Sequence, residues 1–317
     1  MTFFSLLTKE MRLRLRRERT IWVIVFYLLL MAFLGWFSIS GYSTNDNSYG
    51  SADLSGVGLN LYYLLSLLQL FLIIFITPAF TATAINGEKE RQTFDLLLCS
   101  RLSPLALMGG KLLAGLTNAL LLVAASIPLF SLVFFFGGVT PAQAMSALLI
   151  YVVTVVLVGS FALLCSTLFT RPAVSTVMAY VLSIFWIALP LLYNYVLLSS
   201  SNTRLLQSLP NRMRLLAFWN PVAALSSTYP ANSNTMLTNY SNVGGPNSYG
   251  YGLSMLSAAF GYGNVTPYIW GNWQVAPWII YSIVSVLVAL MLFGFSMLAL
   301  RVYPINGWRG FGYRRSA

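Results

Sequence analysis

Histidine is absent from this sequence and cysteine occurs only as Cys99 and Cys165. Without imidazole the chain lacks the commonest general base and the commonest zinc ligand, and two thiolates cannot close a tetrahedral site alone. Both absences argue against a metal-dependent or triad hydrolase. Charge is equally scarce: Asp, Glu, Lys and Arg make up 8% of 317 residues, where soluble domains carry roughly a quarter. With 58% hydrophobic residues, a soluble fold of this length would expose apolar patches beyond what a monomer tolerates. The bilayer is therefore the main solvent, and the chain reads as a polytopic membrane protein. A net charge of +11 raises the case of nucleic acid, but the basic residues are scattered at segment ends and no soluble basic domain exists to hold a strand, so no nucleic acid is expected.

What is present is a set of apolar runs free of Asp, Glu, Lys and Arg, each near the roughly 20 residues that cross a bilayer. They cover 20–40, 57–84, 112–136, 141–170, 172–198 and 274–300. The first follows Arg12, Arg14, Arg16, Arg17 and Arg19 as a signal peptide would, but its run exceeds an h-region of about 7 to 15 residues and Ser38-Ile39-Ser40 is a poor cleavage site, so it stays as a span. Six spans put both termini on one side. The positive-inside rule makes that side cytoplasmic, because only Arg204, Arg212 and Arg214 then fall outside, in a long loop where the rule is weakest. Residues 1–19 place Phe3, Phe4, Leu7, Met11 and Leu15 on one stripe among arginines, as an interfacial amphipathic helix does.

The short connections at Gly137-Gly138 and Arg171-Pro172 make hairpins of spans three, four and five, which should pack as neighbours. The outer loop 199–273 is rich in Asn, Ser, Gly and Tyr. Its apolar islands, Leu205 to Trp219 and Leu253 to Phe260, are too short to span and read as helices lying on the outer leaflet. Tyr262, Tyr268, Trp270, Trp273 and Trp278 suit the aromatic belt above span six. No carboxylate or basic group lies within the spans, so a proton-driven carrier has nothing there to protonate, and energy for any uphill movement must enter from outside the chain. Gln69, Asn118, Gln143, Asn194 and the prolines Pro78, Pro128 and Pro190 read mainly as packing and kink features of the interior.

One inner loop, 86–108, stands apart. Glu88, Glu90 and Asp95 bring three of the chain's seven acids into a few residues, and Phe94, Leu97, Leu98, Arg101 and Leu105 share the face of a short helix that Thr93 could cap. An apolar helical face framed by charge at the membrane edge is what the groove of a soluble partner grips.

The stretch from Gly87 to Lys111 resembles the signature of ABC-2 type transporter permeases: Gly-Glu-Lys/Arg-Glu-x-x-Thr, then Leu-Leu, Ser/Thr and Pro, and finally Gly-Lys at the next span. Gly87, Glu88, Lys89, Glu90, Thr93, Leu97, Leu98, Ser103, Pro104, Gly110 and Lys111 fit, while Gln92 stands where Gly is frequent and Arg101 where Pro is often found. The resemblance implies an all-α membrane protein with six transmembrane helices, residues 20–317 forming an ABC-2 type transmembrane domain of an exporter in the cell membrane. It also implies that the loop is a coupling helix seated in a separate ABC ATP-binding subunit through Gly87, Glu88, Lys89, Glu90, Thr93, Phe94, Leu97, Leu98, Arg101 and Lys111. The chain has no phosphate-binding loop of its own. It is expected to hold no catalytic, cofactor or metal site, with ATP and Mg in the partner ATPase, and to pair with a second permease chain as a homodimer or heterodimer. A non-transport membrane scaffold or assembly factor, binding a partner through the outer loop, is the alternative reading.

Overall fold

The structure, a computed structural model, describes residues 18–43, 54–90, 104–137, 139–199, 219–228, 268–270 and 273–307. The helices are α1 (Glu18–Ser43), α2 (Leu54–Thr81), the short α3 (Asn86–Glu90), α4 (Pro104–Phe136), α5 (Pro141–Leu168), α6 (Pro172–Ser199), the short α7 (Pro221–Ser226) and α8 (Pro277–Gly307). Between α7 and α8 lies an antiparallel ribbon of β1 (Tyr268–Trp270) and β2 (Trp273–Val275), with Ile269 opposite Gln274. Among the described residues the fold is thus all-α with this one small addition. Five helical stretches are long and apolar enough to cross a membrane, and α1 contributes a shorter apolar stretch, Trp22–Phe37. In hydrocarbon a backbone must satisfy its own hydrogen bonds, which is why apolar runs of this length become helices.

Proline sets several boundaries. Pro104, Pro141, Pro172, Pro221 and Pro277 each open a helix, at the position where a missing N–H costs nothing and φ is already helical. Two helices begin at other residues than the expected spans. Helix α4 starts at Pro104, ahead of the expected span 112–136, so it takes in Lys111 and the last residues assigned to the loop 86–108. Helix α8 begins at Pro277, inside the expected span 274–300, and Trp273–Val275 ahead of it is a strand. Gln143, assigned to the membrane interior, instead caps α5: its Oε1 accepts the Thr140 N–H at 2.8 Å. Residues 1–17 of the expected interfacial helix lie outside the described residues.

The bundle is organised around α5, which packs against α2, α4, α6 and α8. It is apolar on every face, the pattern of a helix surrounded by protein, and it runs through the main core with Ile150, Tyr151, Val153 and Val155 buried. Spans three, four and five are thus neighbours through α5. Small residues let the backbones close up: a Cβ at Gly115 of α4 would collide with Thr81 of α2, and one at Gly159 of α5 with Leu116. Gly137 turns the chain between α4 and α5 with φ +84°, a region that side chains with a Cβ rarely adopt.

Hydroxyls and amides tie the core across helices. The Tyr27 hydroxyl donates to Gln69 Oε1, Tyr151 donates to the Ser66 carbonyl at 3.2 Å, and Thr154 and Tyr281 hydroxyls lie 2.7 Å apart. Such bonds contribute about 0.6 kcal/mol each on average in a membrane, so van der Waals packing supplies most of the cohesion between helices. The outside is apolar: Trp22, Phe26, Phe33 and Trp36 on α1 and Leu287, Leu290, Phe295 and Leu298 on α8 are exposed, the reverse of a water-soluble surface.

The segment after α6 departs from expectation. Trp219, at the end of the first apolar island, stacks on Trp186 of α6 with ring centroids 4.8 Å apart, and Pro221–Leu225 of α7 are buried against α5, α8 and α2. Asn220 caps this helix, its Oδ1 accepting from the Val222 N–H at 3.0 Å. This part of the long loop enters the bundle; the rest of the first island, all of the second, and Tyr262 lie outside the described residues. Tyr268, Trp270 and Trp273 belong to the ribbon, and Trp278, assigned to the aromatic belt, packs against the core.

The α2–α4 approach is testable. Gly115→Ala forces its Cβ against the Thr81 methyl and should destabilise the fold by about 1 to 3 kcal/mol, the range for overpacking. Thr81→Ser in the same chain removes that methyl, keeps the hydroxyl, and should recover most of the loss in thermal unfolding of the detergent-purified protein. Equal stability of Gly115→Ala and wild type would show that the helices are not in this contact.

Candidate functional site

The chain leaves α2 through a turn at residues 82–85. Pro78 lies inside α2, and its carbonyl accepts the Ala82 N–H at 2.9 Å as the helix unwinds. The turn is buried, with Ala82, Ala84, Ile85 and Asn86 all inside the protein. Ile85, the residue before α3, has no side-chain oxygen with which to cap it. The acceptor comes from another helix: Ser166 Oγ on α5 receives both the Ile85 N–H at 3.0 Å and the Asn86 N–H at 3.2 Å. The Ile85 side chain packs with Met108 of α4 and Leu163 of α5. From α6, Ser175 Oγ donates to the Ala82 carbonyl at 3.0 Å.

The charges of α3 are held just as closely. Lys89 Nζ donates to the Thr167 carbonyl of α5 at 2.8 Å, and the Thr167 hydroxyl accepts from Ser296 Oγ of α8 at 3.3 Å. Glu88 Oε1 forms an ion pair with Lys111 Nζ of α4. Lys111 is buried with 8% of its surface exposed, so its ammonium needs this partner. Asn86 is fully buried, and among the described residues neither atom of its side-chain amide has a hydrogen-bond partner.

Of the residues singled out in the sequence, the structure joins Glu88 to Lys111 and seats Lys89 on α5. Gly87 is half-buried, and a Cβ there would meet no heavy atom within 4 Å, so packing within the described residues does not demand glycine. Glu90 is exposed. Thr93, Phe94, Leu97, Leu98 and Arg101 lie outside the described residues, and Leu105 is exposed on the first turn of α4. Sequence reasoning missed Ser166, Thr167 and Ser175. They are hydroxyls at the ends of apolar runs, and nothing in their spacing pairs them with a turn some 80 residues earlier. Among the described residues no group of three or more His, Cys, Asp or Glu side chains lies together to hold a metal. What the arrangement can do is mechanical: it fixes one short charged helix to the ends of the bundle.

Residues 55–295 match the family model described as ABC-2 family transporter protein. No characterised protein matches the chain closely enough to be informative.

The Glu88–Lys111 pair makes a direct prediction. Removing one member of a fully buried pair costs about 3 to 5 kcal/mol; with 24% of the Glu88 side chain exposed, Lys111→Met should cost about 1 to 3 kcal/mol. Adding Glu88→Gln should return part of it, giving a non-additive double-mutant cycle in thermal unfolding. Additive losses would mean that the two charges do not interact.

Proposed function

The chain belongs to the ABC-2 transporter family and carries several helices able to cross a membrane, and from that premise we propose that it is the permease subunit of an ATP-driven exporter. In this reading α1 completes a set of six spans, and residues 20–317 form the transmembrane domain. Two permease chains, identical or different, enclose the translocation path in the cell membrane, with both termini cytoplasmic. ATP and Mg are bound and consumed by a separate ABC ATP-binding subunit.

The loop 86–108 is the contact with that subunit. Phe94, Leu97 and Leu98 supply the apolar centre, with Thr93 capping their helix and Arg101 at its edge. Gly87, Glu88, Lys89 and Glu90 lead into it, and Lys111 holds its far end. The observation that supports this reading most is the Glu88–Lys111 ion pair, because it draws the two charged ends of the motif together at one end of the bundle.

Co-expression with the ATP-binding subunit tests the assignment. Few residues dominate a small interface, and each truncation at its centre costs about 1 to 4 kcal/mol. Phe94→Ala with Leu97→Ala should therefore insert and fold normally yet fail to retain the ATPase on purification. Glu90→Lys is the cleaner charge probe, since Glu88 is engaged with Lys111. It should weaken docking less and in a salt-dependent manner. Retention of the ATPase by the double variant at wild-type levels would reduce the loop to an ordinary connection and favour a scaffold role.

Orientation has its own check. A cysteine at Asn239 should react with an impermeant thiol reagent in intact cells, and native Cys99 should not. Labelling of Cys99 from outside would invert the topology.

A further inference from the structure

We propose that Ser166 is a positioning residue that joins the coupling loop to the central helix, so that a displacement of α3 is passed to α5 and through Thr167 to α8. The inference rests on the reading of the loop 86–108 as the ATPase contact and adds to it the route by which that contact acts on the spans.

The geometry is specific. Helix N-termini are usually capped by a side chain of the same local segment, with Ser, Thr, Asp or Asn in the cap position. Here the cap residue is Ile85, and its own amide and that of Asn86 are both received by one hydroxyl on a different helix. Those amides face a buried environment in which water is not an alternative partner, since Ile85 and Asn86 have almost no exposed surface. Sliding α3 away from α5 would strand both donors at once, so the two move together. The next residue repeats the connection from the other side: the Thr167 carbonyl holds Lys89, and its hydroxyl receives Ser296 from α8. Apolar contact reinforces the joint, since Ile85 and Leu163 share a cluster against which Phe293 and Met297 of α8 pack.

The helix that receives the push is also the one best placed to spread it, because α5 packs on α2, α4, α6 and α8. A closely packed interior does not absorb displacement by compressing, so movement at the end of α5 is conveyed to its neighbours.

The test uses the full chain in complex with its ATP-binding subunit, with Cys99 and Cys165 replaced by Ala and a spin label on a cysteine at Leu298, an exposed position of α8. Vanadate trapping of the nucleotide in the ATPase should change the label's spectrum in the otherwise wild-type chain. Ser166→Ala removes the shared acceptor. It should retain the ATPase and its ATP turnover, while the nucleotide-dependent spectral change falls about fivefold or more, the scale of a lost coupling. Ser166→Thr keeps an acceptor oxygen and should restore the change, which a merely space-filling role would not require. If Ser166→Ala does not fold, Ser296→Ala, which cuts the next link, should show the same loss. A full spectral response in either folded Ala variant overturns the inference while leaving the docking reading intact. A wild-type chain that binds no ATPase removes the docking reading, and this inference with it.

Discussion

Backbone amides inside an apolar medium have no water to fall back on, and the architecture follows from how each break in helical hydrogen bonding is satisfied. Within a helix the ladder itself suffices. At the end of α2 it is interrupted by the buried turn at residues 82–85. Ser166 and Ser175 satisfy that turn from α5 and α6. The same demand appears where Asn220 caps α7 inside the bundle and where Gln143 closes the first turn of α5. A serine oxygen placed on the central helix therefore fixes the exit of α2, the direction of α3 and the separation of the two.

The same demand decides which parts of the structure are legible in the chain alone. Apolar runs near bilayer length are legible because their signal is compositional and local, and the five helical stretches fall where those runs lie. Their ends are less so. Hydropathy marks where polar residues begin, whereas α4 begins where Pro104 permits a helix to start, and Lys111 is carried inside because Glu88 neutralises it. The α7 segment escapes a sequence reading for a related reason. It is too short to span, but a segment can be buried at one end of a bundle without crossing it, and the Trp186–Trp219 stack depends on a pairing that no local pattern reveals.

At the candidate site the division is similar. The motif from Gly87 to Lys111 is visible as a run of residue types, in which all charges look alike, as a frame for a partner. The structure separates them. Glu88 and Lys111 lie 23 positions apart and satisfy one another, and Lys89 is directed at a carbonyl of α5. These are internal commitments, and each follows from burial: an ammonium in a low-dielectric site must be compensated by its own protein before it can serve any other. Ser166 and Thr167 carry no charge and belong to no motif, so only the tertiary fold could bring them forward.

That separation bears on how a docking surface at the membrane edge has to be built. If Glu88, Lys89 and Lys111 are engaged inside the chain, they cannot also provide the main attraction to a partner without losing bonds they already make, and their exchange for intermolecular bonds would be near neutral in free energy. In the proposed contact, affinity must then come from other groups; among the described residues of the motif, Glu90 is exposed. Rigid charges inside and apolar anchors outside are complementary requirements. A contact made only by the anchors would slip relative to the spans, whereas one whose base is held by an ion pair, a lysine–carbonyl bond and a doubly used serine transmits its displacement to the helices behind it. In the proposed exporter, the internal charges of the motif therefore serve to hold its base to the bundle.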